Sequence, residues 1–128
     1  MGKEHWKNAP DEHDYPAAAD YLNLVLGVVP TQEIVANFRD ASISHRKAKD
    51  LLRASELPLL AVDNKHVARD LAKVDRGEAL SPILLVRGDL MSGRPLVVAD
   101  GYHRICASYH RDENTDIPCL IVDPPANG

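Results

Sequence analysis

The stretch Leu96-Val97-Val98-Ala99-Asp100-Gly101-Tyr102-His103-Arg104-Ile105-Cys106-Ala107-Ser108 decides how the chain is organised. Four apolar residues end at Asp100-Gly101 and a helix-compatible run begins at once, the pattern of a strand driven into a helix through a glycine turn. Glycine there can take φ > 0 and lets the backbone come close to whatever sits above it. The helix opens with free N–H groups and the positive end of its dipole, and His103 and Arg104 lie in its first turn. Such an end favours an anion, most often a phosphate.

The flanking sequence supplies a small sheet for this turn. Ser81-Pro82 introduces an apolar strand, Ile83–Arg87, and a loop through Gly88-Asp89 and Ser92-Gly93-Arg94-Pro95 returns to Leu96–Ala99, which predicts a hairpin. Past the turn, the helix runs to about His110 with Ile105, Cys106 and Tyr109 inward. Asp112-Glu113-Asn114 breaks it, Ile117–Val122 forms a last strand, and the tail from Asp123 is loose. Upstream, the short apolar run Leu57–Val62 reads as a buried strand ending at an Asp63-Asn64 cap. A helix from Lys65 to about Asp75 then gathers Val67, Leu71 and Val74. His66, Asp70 and Lys73 share one face of that helix, either a functional face beside the turn or its wet side.

Three helices are expected before Leu57. Tyr15-Pro16 opens the first, with Asp14 placed to cap it, Ala18, Tyr21, Leu22, Val25 and Leu26 on one stripe, and Gly27 as its stop. The second starts at Pro30-Thr31 and turns Ile34, Val35 and Phe38 inward. The third runs from Ser42 or Ser44 to Arg53, burying Leu51 and Leu52 and presenting His45, Arg46, Lys47, Lys49 and Arg53 on its other face. Residues 1–15 read as a solvated arm with Trp6 its only large anchor. His5, His13 and Asp14 lack tight ligand spacing, so no metal site is expected.

At 128 residues the chain is most simply one domain, long enough to fold without staples. A net charge of −4 argues against a general nucleic-acid coat while leaving room for a local basic patch. Two cysteines, Cys106 and Cys119, cannot make a disulfide framework and read as buried thiols of a reducing cytosol. The N-terminus is polar and no apolar run approaches the ~20 residues of a membrane span, so a cytoplasmic protein without membrane partners is expected.

From Leu57 to Val122, about half the chain, the ordered pieces resemble the ParB/sulfiredoxin fold. Its members share a strand, a helix, a hydrophobic strand introduced by proline, a hairpin strand, a Gly-x-x-Arg turn opening a helix, and a closing "Ile-Pro" strand. The matching pieces are Leu57–Val62, Lys65–Asp75, Ser81-Pro82-Ile83-Leu84-Leu85-Val86, Leu96–Ala99, Gly101-Tyr102-His103-Arg104 and Ile117-Pro118. The resemblance implies an α+β domain with a small mixed sheet and packed helices at 57–122, here preceded by a helical extension at 1–56. It also implies a nucleotide or phosphate held at the turn. The candidate binding residues are Gly101, Tyr102, His103, Arg104, Lys73 and Ser81, and the candidate catalytic pair is His103 and Asp100. A nucleoside triphosphate with Mg²⁺ is the implied cofactor, with Asp70 or Asp63 as a second carboxylate. Sulfiredoxins need a nucleophilic cysteine in Gly-Cys-His-Arg; Tyr102 stands there, which excludes sulfinic-acid reduction. Partitioning ParB proteins carry two arginines at the turn and then a helix-turn-helix. His103-Arg104 and a single further strand make a DNA clamp unexpected.

Three functions follow from these residues. One is an enzyme processing a nucleotide or phosphoester, with His103 as acid, base or clamp. Another is a non-catalytic ligand-sensing or protein-interaction module, in which Tyr15–Arg53 meets a protein partner or a second copy. The last is nucleic-acid binding or nuclease-like cleavage through His45–Arg53. Against all of them stands a purely structural turn, in which Arg104 pairs with Asp100.

Overall fold

A computed structural model describes residues 4–125. In chain order the elements are β1 (His5–Trp6), α1 (Asp14–Leu26), α2 (Val28–Asp40), β2 (Ser44–Lys47), α3 (Ala48–Ser55), α4 (Lys65–Asp75), β3 (Ala79–Leu80), β4 (Ile83–Val86), β5 (Val97–Asp100), α5 (Tyr102–Arg111) and β6 (Asp116–Val122). The fold is α+β. Its main sheet has the order β2-β6-β4-β5; β4 and β6 are parallel, and the outer pairs are antiparallel.

Strand periodicity divides the core into two layers. Along β4 and β6, Ile83, Leu85, Ile117, Cys119 and Ile121 point to one side, against α3, α4 and α5. Leu84, Val86, Leu120 and Val122 point to the other, where Tyr15, Ala18, Leu22, Ile34 and Phe38 of α1 and α2 cover them. Both faces of these strands are therefore covered, which explains why they read as unbroken apolar runs. The β4–β5 hairpin forms with Val86 opposite Val97 and Leu85 opposite Val98. Its register then shifts so that Leu84 meets Asp100. A shift of this kind re-aims the end of a strand, and here the end is the residue before the glycine turn.

Five expectations need correction. Leu57–Val62 is not a strand. Pro58 has no N–H for a ladder, and Leu57, Leu59 and Val62 stay 36%, 41% and 54% exposed. The segment lies instead as an irregular strap, with the Tyr102 hydroxyl donating to the Pro58 carbonyl and His110 Nε2 2.7 Å from the Leu60 carbonyl. The fourth strand comes from Ser44–Lys47, so the third helix begins only at Ala48. This strand pairs with the outer side of β6, Ser44 opposite Cys119 and Lys47 opposite Asp116. At a sheet edge a polar sequence is tolerated on both faces, and the helical reading missed that.

The N-terminal arm is docked from Glu4 onward, residues 1–3 lying outside the described residues. Its β1 runs parallel to β3, Lys7 N–H donates to the Leu80 carbonyl (2.8 Å), and Glu4 accepts from Ser108 Oγ (3.0 Å) and lies 3.5 Å from Arg111. Asp14 does not cap the first helix. It is that helix's first residue, and its Oδ2 accepts from the Asp11 N–H (3.0 Å). The second helix begins at Val28, directly after Gly27. By contrast α4 forms as read, with Asn64 Oδ1 accepting from the N–H groups of His66 and Val67. Among the described residues no helix is long and apolar enough to cross a membrane.

Candidate functional site

Gly101 sits at φ +114°, and a Cβ added there would come within 2.4 Å of Ile83 Cδ1. Conformation therefore favours glycine, and a Cβ would in addition have to displace the end of the Ile83 side chain. No side chain caps α5 at Gly101, and its first backbone bond is Ile105 N–H to the Gly101 carbonyl (3.1 Å). The N–H groups of Tyr102, His103 and Arg104 therefore lack helical acceptors. This helix end borders a cleft of about 280 Å³. The N-terminal segment, α4, β3 and the turn form its walls.

Asp100, Gly101, His103, Arg104, Lys73 and Ser81 all line that one cleft. Tyr102 is not among the lining residues, and its hydroxyl is engaged with the strap at Pro58. Asp63 is not among the lining residues, whereas Asp70 is. Cys106 belongs to the core cluster and carries no chemistry into the cleft. The residues missed from sequence are Lys7, Asp11, His13 and Asp14, with Arg69 beside Asp70. The N-terminal four reach the site through β1–β3 pairing and the docking of α1, which no local pattern announces.

Arg104 is the most constrained group here, only 12% exposed. Its Nη2 donates to Asp100 Oδ2 at 2.6 Å, and its Nη1 donates to the hydroxyl and carbonyl of Ser81 and lies 3.7 Å from Asp14 Oδ2. The guanidinium thus ties the turn to β3 and α1, and the pairing with Asp100 is its observed state. Burial raises the Asp100 carboxyl above its ordinary value, and the Arg104 charge opposes that rise.

The other cations are placed differently. Arg69 and Lys73 make no hydrogen bond or salt bridge among the described residues, and Arg69 is exposed while Lys73 is half-buried. Asp70 is only 5% exposed and also has no hydrogen-bonding partner among the described residues. Its carboxylate oxygens still reach the cleft and are not sealed off, so they are available to a donor on a ligand.

His103 is half-buried, its ring 4.6 Å from that of His66 and 5.6 Å from that of Tyr102. Burial first, and then His66, hold its imidazole below the usual value, while Asp70 pulls the other way. Near pH 7 the ring is neutral and can accept a proton. His5 lies in β1, whereas Asp11, His13 and Asp14 gather with one donor atom each within 4.8 Å of the others. Cations already occupy these carboxylates: Lys7 Nζ sits 2.7 Å from Asp11, and Arg104 faces Asp14.

No family model matches this chain, and no curated protein or solved structure matches it. The reading of the cleft rests on its own residues.

Proposed function

We propose that the cleft at the Gly101 turn binds a phosphorylated small molecule, with a nucleotide as the first class to test. One observation carries the reading: the uncapped start of α5 borders a cleft whose walls hold two cations, Arg69 and Lys73, that are unpaired among the described residues. Free amides and a helix dipole suit an anionic oxygen, and nearby ammonium and guanidinium groups add charge-assisted bonds. Arg104 serves here as the buttress that fixes the turn, while Lys73, Arg69 and the amides of residues 102–104 meet the ligand. Asp70 accepts a hydroxyl or amine of the same molecule. The neutral His103 is positioned to take a proton from a ligand hydroxyl or a water, which would make the site an enzyme's. Without turnover it remains a ligand sensor. A relation to the ParB/sulfiredoxin fold is supported by the order of pieces from α4 to β6 and weakened by the irregular Leu57–Val62 strap.

Calorimetry with ATP, CTP, GTP and inorganic phosphate, each with and without Mg²⁺, tests the proposal. Binding of at least one is expected, weakened about tenfold or more in Lys73→Ala, as for a lost charge-assisted bond. Absence of heat for all four overturns it. Product formation on incubation separates catalysis from sensing.

A further inference from the structure

The basic stretch that reads as a helix face from sequence lies instead on an open strand edge. β2 pairs on one side with β6, and no backbone hydrogen bond from a described residue reaches it on the other. The pairing fixes which groups are free. His45 stands opposite Pro118, which has no N–H, so the two cannot be a hydrogen-bonded pair. Ala48 N–H donates to the Thr115 carbonyl (3.0 Å), which places the even-numbered residues on the β6 side. His45 and Lys47 therefore turn N–H and C=O outward. The side chains of His45, Arg46 and Lys47 are all exposed, and none makes a hydrogen bond or salt bridge among the described residues. Lys49 is exposed just beyond them, and Arg53 is partly neutralised by Asp50 at 3.2 Å.

We propose that β2 is a docking edge for an acidic, extended peptide segment of another protein, which adds as a fifth strand beside Ser44–Lys47. The outward amides and carbonyls match a peptide ladder, and Arg46 and Lys47 supply the charge that selects acidic residues. A second copy of this chain does not fit: antiparallel pairing of two such edges sets His45, Arg46 and Lys47 against their own kind. A nucleic acid would use the cations but leave the open ladder unpaired. Asp112, Glu113 and Asp116 also lie on the adjoining turn and strand, with Asp116 opposite Lys47, and they limit how much negative charge a partner can bring to this edge. The edge is independent of the cleft.

The test uses the full chain, at low salt, with four fluorescent probes followed by anisotropy. They are a short peptide alternating valine and glutamate, its alternately N-methylated form, the valine–lysine counterpart, and a single-stranded oligonucleotide. The acidic peptide is expected to bind, with the N-methylated and lysine peptides weaker by about tenfold or more. Arg46→Glu/Lys47→Glu should weaken it comparably at an unchanged melting temperature. If that variant does not fold, the N-methylated arm on the wild-type chain still decides. No binding of the acidic peptide, equal binding of its N-methylated form, or tighter binding of the oligonucleotide would each overturn the proposal.

Discussion

Arg104 and Asp100 stand four residues apart and face each other at 2.6 Å across the glycine between strand and helix. Ser81, directly after β3, and Asp14 on α1 converge on the same guanidinium, so one side chain joins three parts of the chain. Removing it strands two acids, Asp14 and Asp100, whose side chains are 6% and 20% exposed. Arg104→Met should therefore cost about 3–5 kcal/mol in urea unfolding, the range for breaking a buried pair. Arg104→Lys keeps the charge but cannot reach Ser81 and Asp100 in the same fork, and should fall between.

Gly101 and Gly77 test the turn against an ordinary positive-φ site. Both have positive φ, but a Cβ at Gly77 meets nothing within 4 Å, whereas at Gly101 it strikes Ile83. Gly77→Ala should cost about 1 kcal/mol from conformation alone. Gly101→Ala should cost clearly more, by roughly another 1–3 kcal/mol of overpacking. Equal costs in chemical denaturation would show that Ile83 yields freely.

His103 gives the fold a defined pH dependence. Its folded pKa lies below the unfolded one, so the unfolded chain binds more protons in that range. The contribution of His103 to stability is thus present above about pH 6.5 and is lost as pH falls through the lowered folded pKa. Comparing unfolding free energy against pH in wild type and His103→Gln should show a shallower acid-side decline in the variant. Parallel curves would remove His103 as a cause.

The thiols should be silent in the native protein. Burial pushes the Cys119 thiol up to about 12, and it raises Cys106 as well. The thiolate is the reactive form. Ellman's reagent should therefore label neither at neutral pH until denaturant is added. Rapid native labelling of Cys106 would mean that the strap over it opens readily.

How much of this was legible depends on whether a residue's neighbours were local. The turn, the β4–β5 hairpin, α4 with its Asn64 cap and the closing strand were all readable, because each is set by period, glycine or cap chemistry within a few residues. Ser44–Lys47 was not, since its strand state comes from the distant outer side of β6 and its polar side chains carry no apolar period. Leu57–Val62 misled for the converse reason: its composition is that of a buried strand, but Pro58 and the bonds from Tyr102 and His110 make it a strap. Asp14 looked like a cap, and only the docking of α1 beside Arg104 makes it part of the cleft. Lys73 and Ser81 are named with the turn at the sequence level and do line its cleft, whereas Lys7, Asp11 and Arg69 join it only in the assembled fold.

The central claim is that the open end of α5, beside Arg69 and Lys73, receives an anion. Backbone ¹⁵N–¹H spectra recorded while a nucleotide or inorganic phosphate is titrated in read this directly. The account predicts saturable shifts in the amides of Tyr102, His103 and Arg104, reduced about tenfold in apparent affinity by Lys73→Ala. Spectra in which those amides stay still, or move no more than amides remote from the cleft, would contradict it.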